Sequence, residues 1–175
     1  MMMRDDHNAI ADIPNIRPAE LSDLDAIREI YNHAVTHSTA TFDTSLRTPE
    51  EQLRWFSDHG PRHPIMVADV NGTVAGWASL SRWSPKAAYY ISAETTFYVA
   101  EPFRGQGIGR ALKAAIIEEA QQLGYHTLIA RVTSESHASL HLNKCFGFVE
   151  VGVLKEIGRK FDRLLDVVIL QKVLE

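Results

Sequence analysis

Between Glu94 and Leu123 the sequence changes period across a turn built on three glycines, and this stretch restricts the fold more than any other. Glu94-Thr95-Thr96-Phe97-Tyr98-Val99 combines threonine, aromatic and valine residues, a composition that favours a strand. Pro102 ends it. After the turn, Ile108, Leu112, Ala115, Ile116, Ala120 and Leu123 recur at helical spacing. The first-turn N–H groups of a helix lack internal partners, and with the helix dipole they form an anion site. Gly105, Gly107 and Gly109 let a bulky anion approach the backbone, and Arg104 and Arg110 place positive charge at the two ends of the turn.

The pattern excludes two common anion sites. A nucleotide-binding P-loop ends in Gly-Lys-Ser/Thr, whereas this turn ends in Gly109-Arg110-Ala111. The dinucleotide fingerprint G-x-G-x-x-G fails for want of a glycine at position 110. What remains is Arg-x-x-Gly-x-Gly, spelled Arg104-Gly105-Gln106-Gly107-Ile108-Gly109. This resembles the acetyl-CoA pyrophosphate loop of the GCN5-related N-acetyltransferase (GNAT) superfamily.

Composition narrows the class of partner. A chain of 175 residues, 45% hydrophobic, suits one domain with a sizeable core. A net charge of −4 without a Lys/Arg block argues against nucleic acid as a partner. A single cysteine, Cys145, rules out an internal disulfide and fits a reducing, cytoplasmic setting; it is expected to be a small core residue. No apolar run has the length of a membrane span. Residues 1–15 read as a flexible tail and 16–172 as one domain.

Along that domain, Ile16 to Pro18 reads as a strand. Ser22 reads as the cap of a first helix with Leu24, Ile27, Ile30, Tyr31 and Val35 on its apolar face. Thr48-Pro49-Glu50-Glu51 starts a second helix, whose apolar residues are Leu53, Trp55 and Phe56. Ile65 to Val70 and Thr73 to Ser81 flank an Asn71-Gly72 hairpin turn, with Gly76 marking a bulge. Tyr89 to Val99 is the next strand. The glycine turn and long helix follow, ended by Gly124. Then come a strand over Thr127 to Val132, a short helix over Ser136 to Phe146, and two strands, Phe148 to Leu154 and Leu164 to Leu174, around a turn near Gly158. The order β-α-α-β-β-β-α-β-α-β-β predicts an α/β fold: a mixed central sheet of about seven strands with helices on both faces. It is also the element order of the GNAT fold.

Further segments resemble one branch of that superfamily, the phosphinothricin and methionine sulfoximine N-acetyltransferases. They are Ile30-Tyr31-Asn32-His33-Ala34-Val35, Glu94 to Val99, Ala138-Ser139-Leu140-His141-Leu142 with Gly147-Phe148, and Gly158-Arg159-Lys160-Phe161-Asp162-Arg163-Leu164-Leu165-Asp166. The resemblance implies an acetyl-CoA-dependent N-acetyltransferase without a metal, acting on a small-molecule amine and forming a homodimer. It implies Glu94 as the base that frees the amine of its proton. It implies that Phe97, Tyr98 and Val99 hold the pantetheine arm and that Arg104, Gly105, Gln106, Gly107, Ile108, Gly109 and Arg110 hold the pyrophosphate. Thr95 and Thr96 join Glu94 on the substrate side.

Two departures stand out. Ser136 occupies a position where the family often has a cofactor-contacting Asn. Asn143 stands where a Tyr or His would be able to protonate the departing thiolate; an amide can hydrogen-bond but cannot donate a proton as an acid. The substrate implied is an amino acid analogue of the phosphinothricin, methionine sulfoximine or methionine sulfone type, whose carboxylate, once buried, needs a cation or several N–H donors. Relatives carry Arg or Lys directly after a loop tryptophan. After Trp83 this chain has Ser84, so Arg82 and Lys86 are the cations expected to serve, with Phe42 lining the pocket. The alternatives are another amine, such as a protein N-terminus, or a catalytically silent acyl-CoA sensor. The pairs His33/His37, His59/His63 and His137/His141 have i, i+4 spacing but no accompanying ligand pattern, and read as surface or capping residues.

Overall fold

The structure, a computed structural model, describes residues 13–175, so most of the expected tail lies outside the described residues. Strand β1 is Asn15–Pro18, followed by helices α1 (Leu24–His37) and α2 (Pro49–Asp58). Strands β2 (Ile65–Val70), β3 (Thr73–Arg82) and β4 (Ser92–Val99) come next, then α3 (Ile108–Gln122), β5 (Thr127–Thr133) and α4 (His137–Cys145). Strands β6 (Val149–Lys160) and β7 (Arg163–Val173) close the chain. The seven strands form one sheet in the order β1-β2-β3-β4-β5-β7-β6. Every neighbouring pair is antiparallel except β4 and β5.

Alternation along the strands divides the core into two layers. Ile65, Val67 and Trp77 face α1, where Ile27, Tyr31 and Val35 are buried. Met66, Ala68, Ala78 and Leu80 face α3, with Leu112, Ile116 and Ala120. The sheet is thus covered on both faces, as the element order predicts.

Local details correct several expectations. Ser22 does not cap α1. A short 3₁₀ turn, Leu21–Asp23, comes first, and Asp23 Oδ2 accepts the Glu20 N–H at 2.8 Å while Arg17 grips the same carboxylate at 2.7 and 2.9 Å. In α2 the buried residue is Gln52, while Leu53 is exposed and Trp55 and Phe56 are half-buried. The Thr48 cap forms as expected: Thr48 Oγ1 accepts from Glu51 N–H, and Glu51 accepts from Thr48 N–H. The register between β2 and β3 slips beside Gly76, where a Cβ would lie 2.7 Å from the Tyr98 carbonyl oxygen. Tyr89 and Tyr90 belong to a 3₁₀ turn, Ala87–Ile91, so β4 starts only at Ser92. The final hairpin turns at Phe161 and Asp162, both with positive φ, and not near Gly158. Gly158 lies inside β6, where the Phe42 ring occupies the space a side chain would fill; a Cβ there would be 2.2 Å from Phe42 Cε2. Cys145 is exposed and not in the core, with Sγ 3.4 Å from His141 Nε2.

Candidate active site

Strands β4 and β5 are parallel neighbours over only three registered pairs, Ser92–Thr127, Ala93–Leu128 and Glu94–Ile129. Beyond Glu94 they separate. Strand β4 stays paired with β3 through Val99, and β5 stays paired with β7 through Thr133. The result is a wedge-shaped opening in the middle of the sheet, with one backbone edge of β4 left without a strand partner. Ala100 N–H donates to the Ala75 carbonyl across the ladder at 2.9 Å. Alternation therefore turns the backbone groups of Val99, Phe97 and Thr95 toward the opening, and those of Tyr98 toward β3. Of the three residues expected to hold a pantetheine arm through their backbone, Phe97 and Val99 have the free edge.

The opening is the floor of a cleft of ≈ 980 Å³. Its walls include β4 from Glu94 to Val99, the glycine turn, β5 from Ala130 to Thr133, parts of α4, and the loop from Ser38 to Asp43. At one end, Gly107 caps α3 with φ of +83°, a conformation that favours glycine. The first-turn N–H groups of Ile108, Gly109 and Arg110 therefore point at the cleft with no partner inside the helix. Gly109 is packed close: a Cβ would meet Leu142 at 3.4 Å and Phe97 at 3.6 Å. Arg104 and Arg110 line this end. Arg104 Nε also donates to the Val99 carbonyl at 3.2 Å, tying the turn to the strand. Gln106 turns away and donates to the Pro102 carbonyl at 2.8 Å.

At the other end stands Glu94. Its side chain is 12% exposed and is held in a two-pronged ion pair by Arg131, with Nε–Oε1 at 2.6 Å and Nη2–Oε2 at 2.7 Å. The pairing raises the pKa of Arg131. Sequence reasoning misses Arg131, although a lone charge inside the apolar run Leu128-Ile129-Ala130-Arg131-Val132 is itself a signal. Thr96 lies on the same face of β4 as Glu94, whereas Thr95 faces α3. There Lys113 donates to Thr95 Oγ1 at 2.7 Å, its ammonium 4.0 Å from the centre of the Phe148 ring. Lys113 is fully buried, and burial alone pushes its pKa down to about 7. Sequence reasoning misses it too, despite its place on the apolar stripe of α3.

The loop Ser38 to Asp43 is fastened over the cleft. Tyr31 Oη donates to Asp43 Oδ2 at 2.5 Å and lies 2.9 Å from Thr41 Oγ1. Tyr98 Oη donates to the Ala40 carbonyl at 3.3 Å, and the buried Lys160 donates to the Thr41 carbonyl at 2.8 Å. Burial raises the pKa of both tyrosines. With Phe42 seated on Gly158, these contacts give the Gly158-Arg159-Lys160-Phe161 segment a structural purpose: it fixes the cleft wall.

Ser136 and Asn143 both line the cleft, as does His141. Asn143 is buried, and its Nδ2 donates to the Ser139 carbonyl at 2.9 Å. That bond orients Oδ1, which has no hydrogen-bond partner among the described residues. Such an acceptor is costly to bury unless a ligand or water completes it. Arg82, Ser84 and Lys86 do not line the cleft. Arg82 pairs with Ala93 and Ser81 with Glu94, so alternation carries Arg82 to the opposite face of the sheet from Glu94.

Helix N-terminus and free strand edge together fit a long ligand with an anionic end and an amide-bearing arm. The family model described as an acetyltransferase (GNAT) domain matches residues 16–169. The L-amino acid N-acyltransferase MnaT of Escherichia coli is 35% identical over 158 residues, 90% of this chain and 92% of its own. An L-methionine sulfoximine/L-methionine sulfone acetyltransferase of Salmonella typhimurium is 34% identical over 157 residues, covering 89% of this chain and 92% of its own. Among solved structures, a GNAT superfamily phosphinothricin acetyltransferase of Sinorhizobium meliloti in complex with acetyl-CoA superposes with a TM-score of 0.89 at 32% identity, covering 93% of this chain and 89% of that one. The wedge between β4 and β5, the glycine turn at its mouth and these likenesses lead to one conclusion: the chain belongs to the GNAT acetyltransferase family and is an acetyl-transferring enzyme.

Proposed function

We propose that the protein transfers an acetyl group directly from acetyl-CoA to the amine of a small amino acid analogue of the methionine sulfone, methionine sulfoximine or phosphinothricin type. The observation that carries this reading is the cleft itself, which joins an anion-binding helix start to a carboxylate, Glu94, along one unpartnered strand edge. Acetyl-CoA supplies the activated acyl group. The residues that fit it are Phe97 and Val99 through their backbone, the turn from Arg104 to Arg110, and Ser136 and Asn143 from α4. The Val99 N–H is aimed into the gap, where it can donate to an acyl oxygen.

Glu94 is the base in this reading. A protonated amine cannot attack a thioester, so a positioned acceptor must take its proton, directly or through water. Arg131 occupies one lone pair on each Glu94 oxygen, and the remaining lone pairs can accept from an incoming ammonium. Asn143 contributes a hydrogen bond and no proton, so the thiolate leaves without an acid from that position. We further propose a cytoplasmic homodimer. The support for the dimer is the exposed apolar edge strand β6, with Val149 and Val151 open to solvent, and light scattering tests the dimer directly.

The deciding experiment is calorimetric titration with acetyl-CoA, followed by a thiol-release assay on a panel of amines. Micromolar binding with turnover of methionine sulfone is expected. Binding without turnover of any amine would make the protein a sensor, and absence of binding at millimolar cofactor would overturn the reading.

A further inference from the structure

The proposed substrate carries a carboxylate one carbon away from its amine, and a cation beside Glu94 is the group that would recognise it most strongly. Among the described residues, three guanidinium groups and no lysine line the cleft. Arg104 and Arg110 sit at the glycine turn, at the anion end. Arg131 is the cation beside Glu94. Its Nε–H and one Nη2–H are used by Glu94, which leaves three of its five N–H donors. Two of those three, one on Nη1 and one on Nη2, run parallel along the outer edge of the guanidinium and match the two oxygens of a carboxylate. The Arg131 side chain is 55% exposed and lines the cleft.

On these grounds, and resting on the function proposed above, we propose that Arg131 is the specificity-determining residue that binds the substrate carboxylate while Glu94 receives the adjacent amine. The Glu94–Arg131 pair is a carboxylate beside a guanidinium, and an α-amino acid is an ammonium beside a carboxylate. Each charge of the ligand meets its opposite. The register of the sheet places apolar surface next to the pair. Thr133 is opposite Val167, and Val167 is opposite Leu154. With Phe42 and Ile157 these residues line the same cleft and provide a surface for an unbranched side chain. A peptide N-terminus has an amide at the position of the carboxylate, and offers Arg131 one neutral acceptor oxygen where the carboxylate offers two charged ones.

The test compares methionine sulfone with its methyl ester, in the wild type and in Arg131→Gln and Arg131→Lys. In the wild type the free acid should exceed the ester by about tenfold or more in kcat/KM, the scale of one charge-assisted hydrogen bond. Arg131→Gln should collapse that ratio to near unity, and Arg131→Lys should restore part of it. If the ratio survives in Arg131→Gln while both rate constants fall together, Arg131 only positions Glu94 and the proposal is overturned. Calorimetric titration of acid and ester into the wild-type protein with bound CoA gives a readout independent of turnover and of variant folding. Equal affinity for the two would also overturn it. Were neither compound acetylated, the function proposed above would fall, yet tighter binding of the acid than of the ester, lost in Arg131→Gln, would still support the assignment of Arg131.

Discussion

Replacing Lys113 with methionine should stabilise the protein at neutral pH and flatten part of its pH dependence. The ammonium of Lys113 is fully buried beneath the sheet, with Thr95 Oγ1 as its acceptor at 2.7 Å and the Phe148 ring alongside. Burial lowers its pKa from 10.5 to about 7. In the unfolded chain the same amine stays protonated up to its ordinary pKa. Between the two values the unfolded state binds more protons, so stability rises with pH in that window. Below about pH 7 both states are charged and the full penalty is present; above about pH 10.5 both are neutral and it is gone. A tenfold change in acidity corresponds to about 1.4 kcal/mol, so the penalty is on the order of 5 kcal/mol. Methionine fills a similar volume with no charge, and gives up one hydrogen bond, worth about 1 kcal/mol. The variant should therefore be more stable by a few kcal/mol at pH 6. The advantage should shrink by about 3 kcal/mol by pH 9.5, roughly 10 °C in Tm for a domain of this size. The assay is thermal melting of both proteins across that range. Groups common to both cancel in the difference, so a Tm difference constant from pH 6 to pH 9.5 would refute the reasoning.

Glu94→Gln should bind acetyl-CoA with wild-type affinity in calorimetry and lose roughly 10²-fold or more in kcat, the usual scale for a general base; a variant as fast as wild type would remove Glu94 from that role. Gly158→Ala should displace the Phe42 ring, whose Cε2 would stand 2.2 Å from the new methyl, costing about 1–3 kcal/mol and raising KM for the amine while leaving that for acetyl-CoA unchanged. Arg17 holds the Asp23 carboxyl below the usual range, so the pair's contribution is complete above about pH 4 and is lost as pH falls further. Asp23→Asn should accordingly lower Tm at pH 7, and the gap to wild type should narrow in acid.

Much of the architecture is legible because its signals are local. The Asn71-Gly72 turn, the Thr48 capping box and the helical period of α3 each depend on a few consecutive residues, and each appears where the sequence places it. Errors arise where a distant residue decides. Gly158 reads as a turn because glycine usually marks one, but Phe42, 116 positions earlier in the chain, occupies the space of its missing side chain. The exposure of Cys145 follows from how α4 is set against the sheet, which the helical period of α4 alone does not reveal.

The candidate site divides along the same physical line. Its anion end is a contiguous motif, because a helix N-terminus and its glycines are one stretch of backbone. Its substrate end is assembled from side chains on strands that meet only in the folded sheet. Arg82 is the natural choice for a carboxylate receptor by proximity in sequence to Trp83, yet one step of strand alternation puts it on the far face. Arg131 is 37 residues from Glu94, and only the parallel pairing of Glu94 with Ile129 brings both side chains to one face of the sheet. A charged residue inside an apolar strand must find a partner or stay out of the core. For Arg131 that partner is the carboxylate at the apex of the wedge. The same rule applied to Lys113 finds only a hydroxyl and an aromatic ring, which cannot neutralise an ammonium, so its proton is the one loosened by burial. Two cations interrupt two apolar patterns, and their partners separate them: the one paired with a carboxylate stays charged and faces the cleft, and the one without is buried against the sheet.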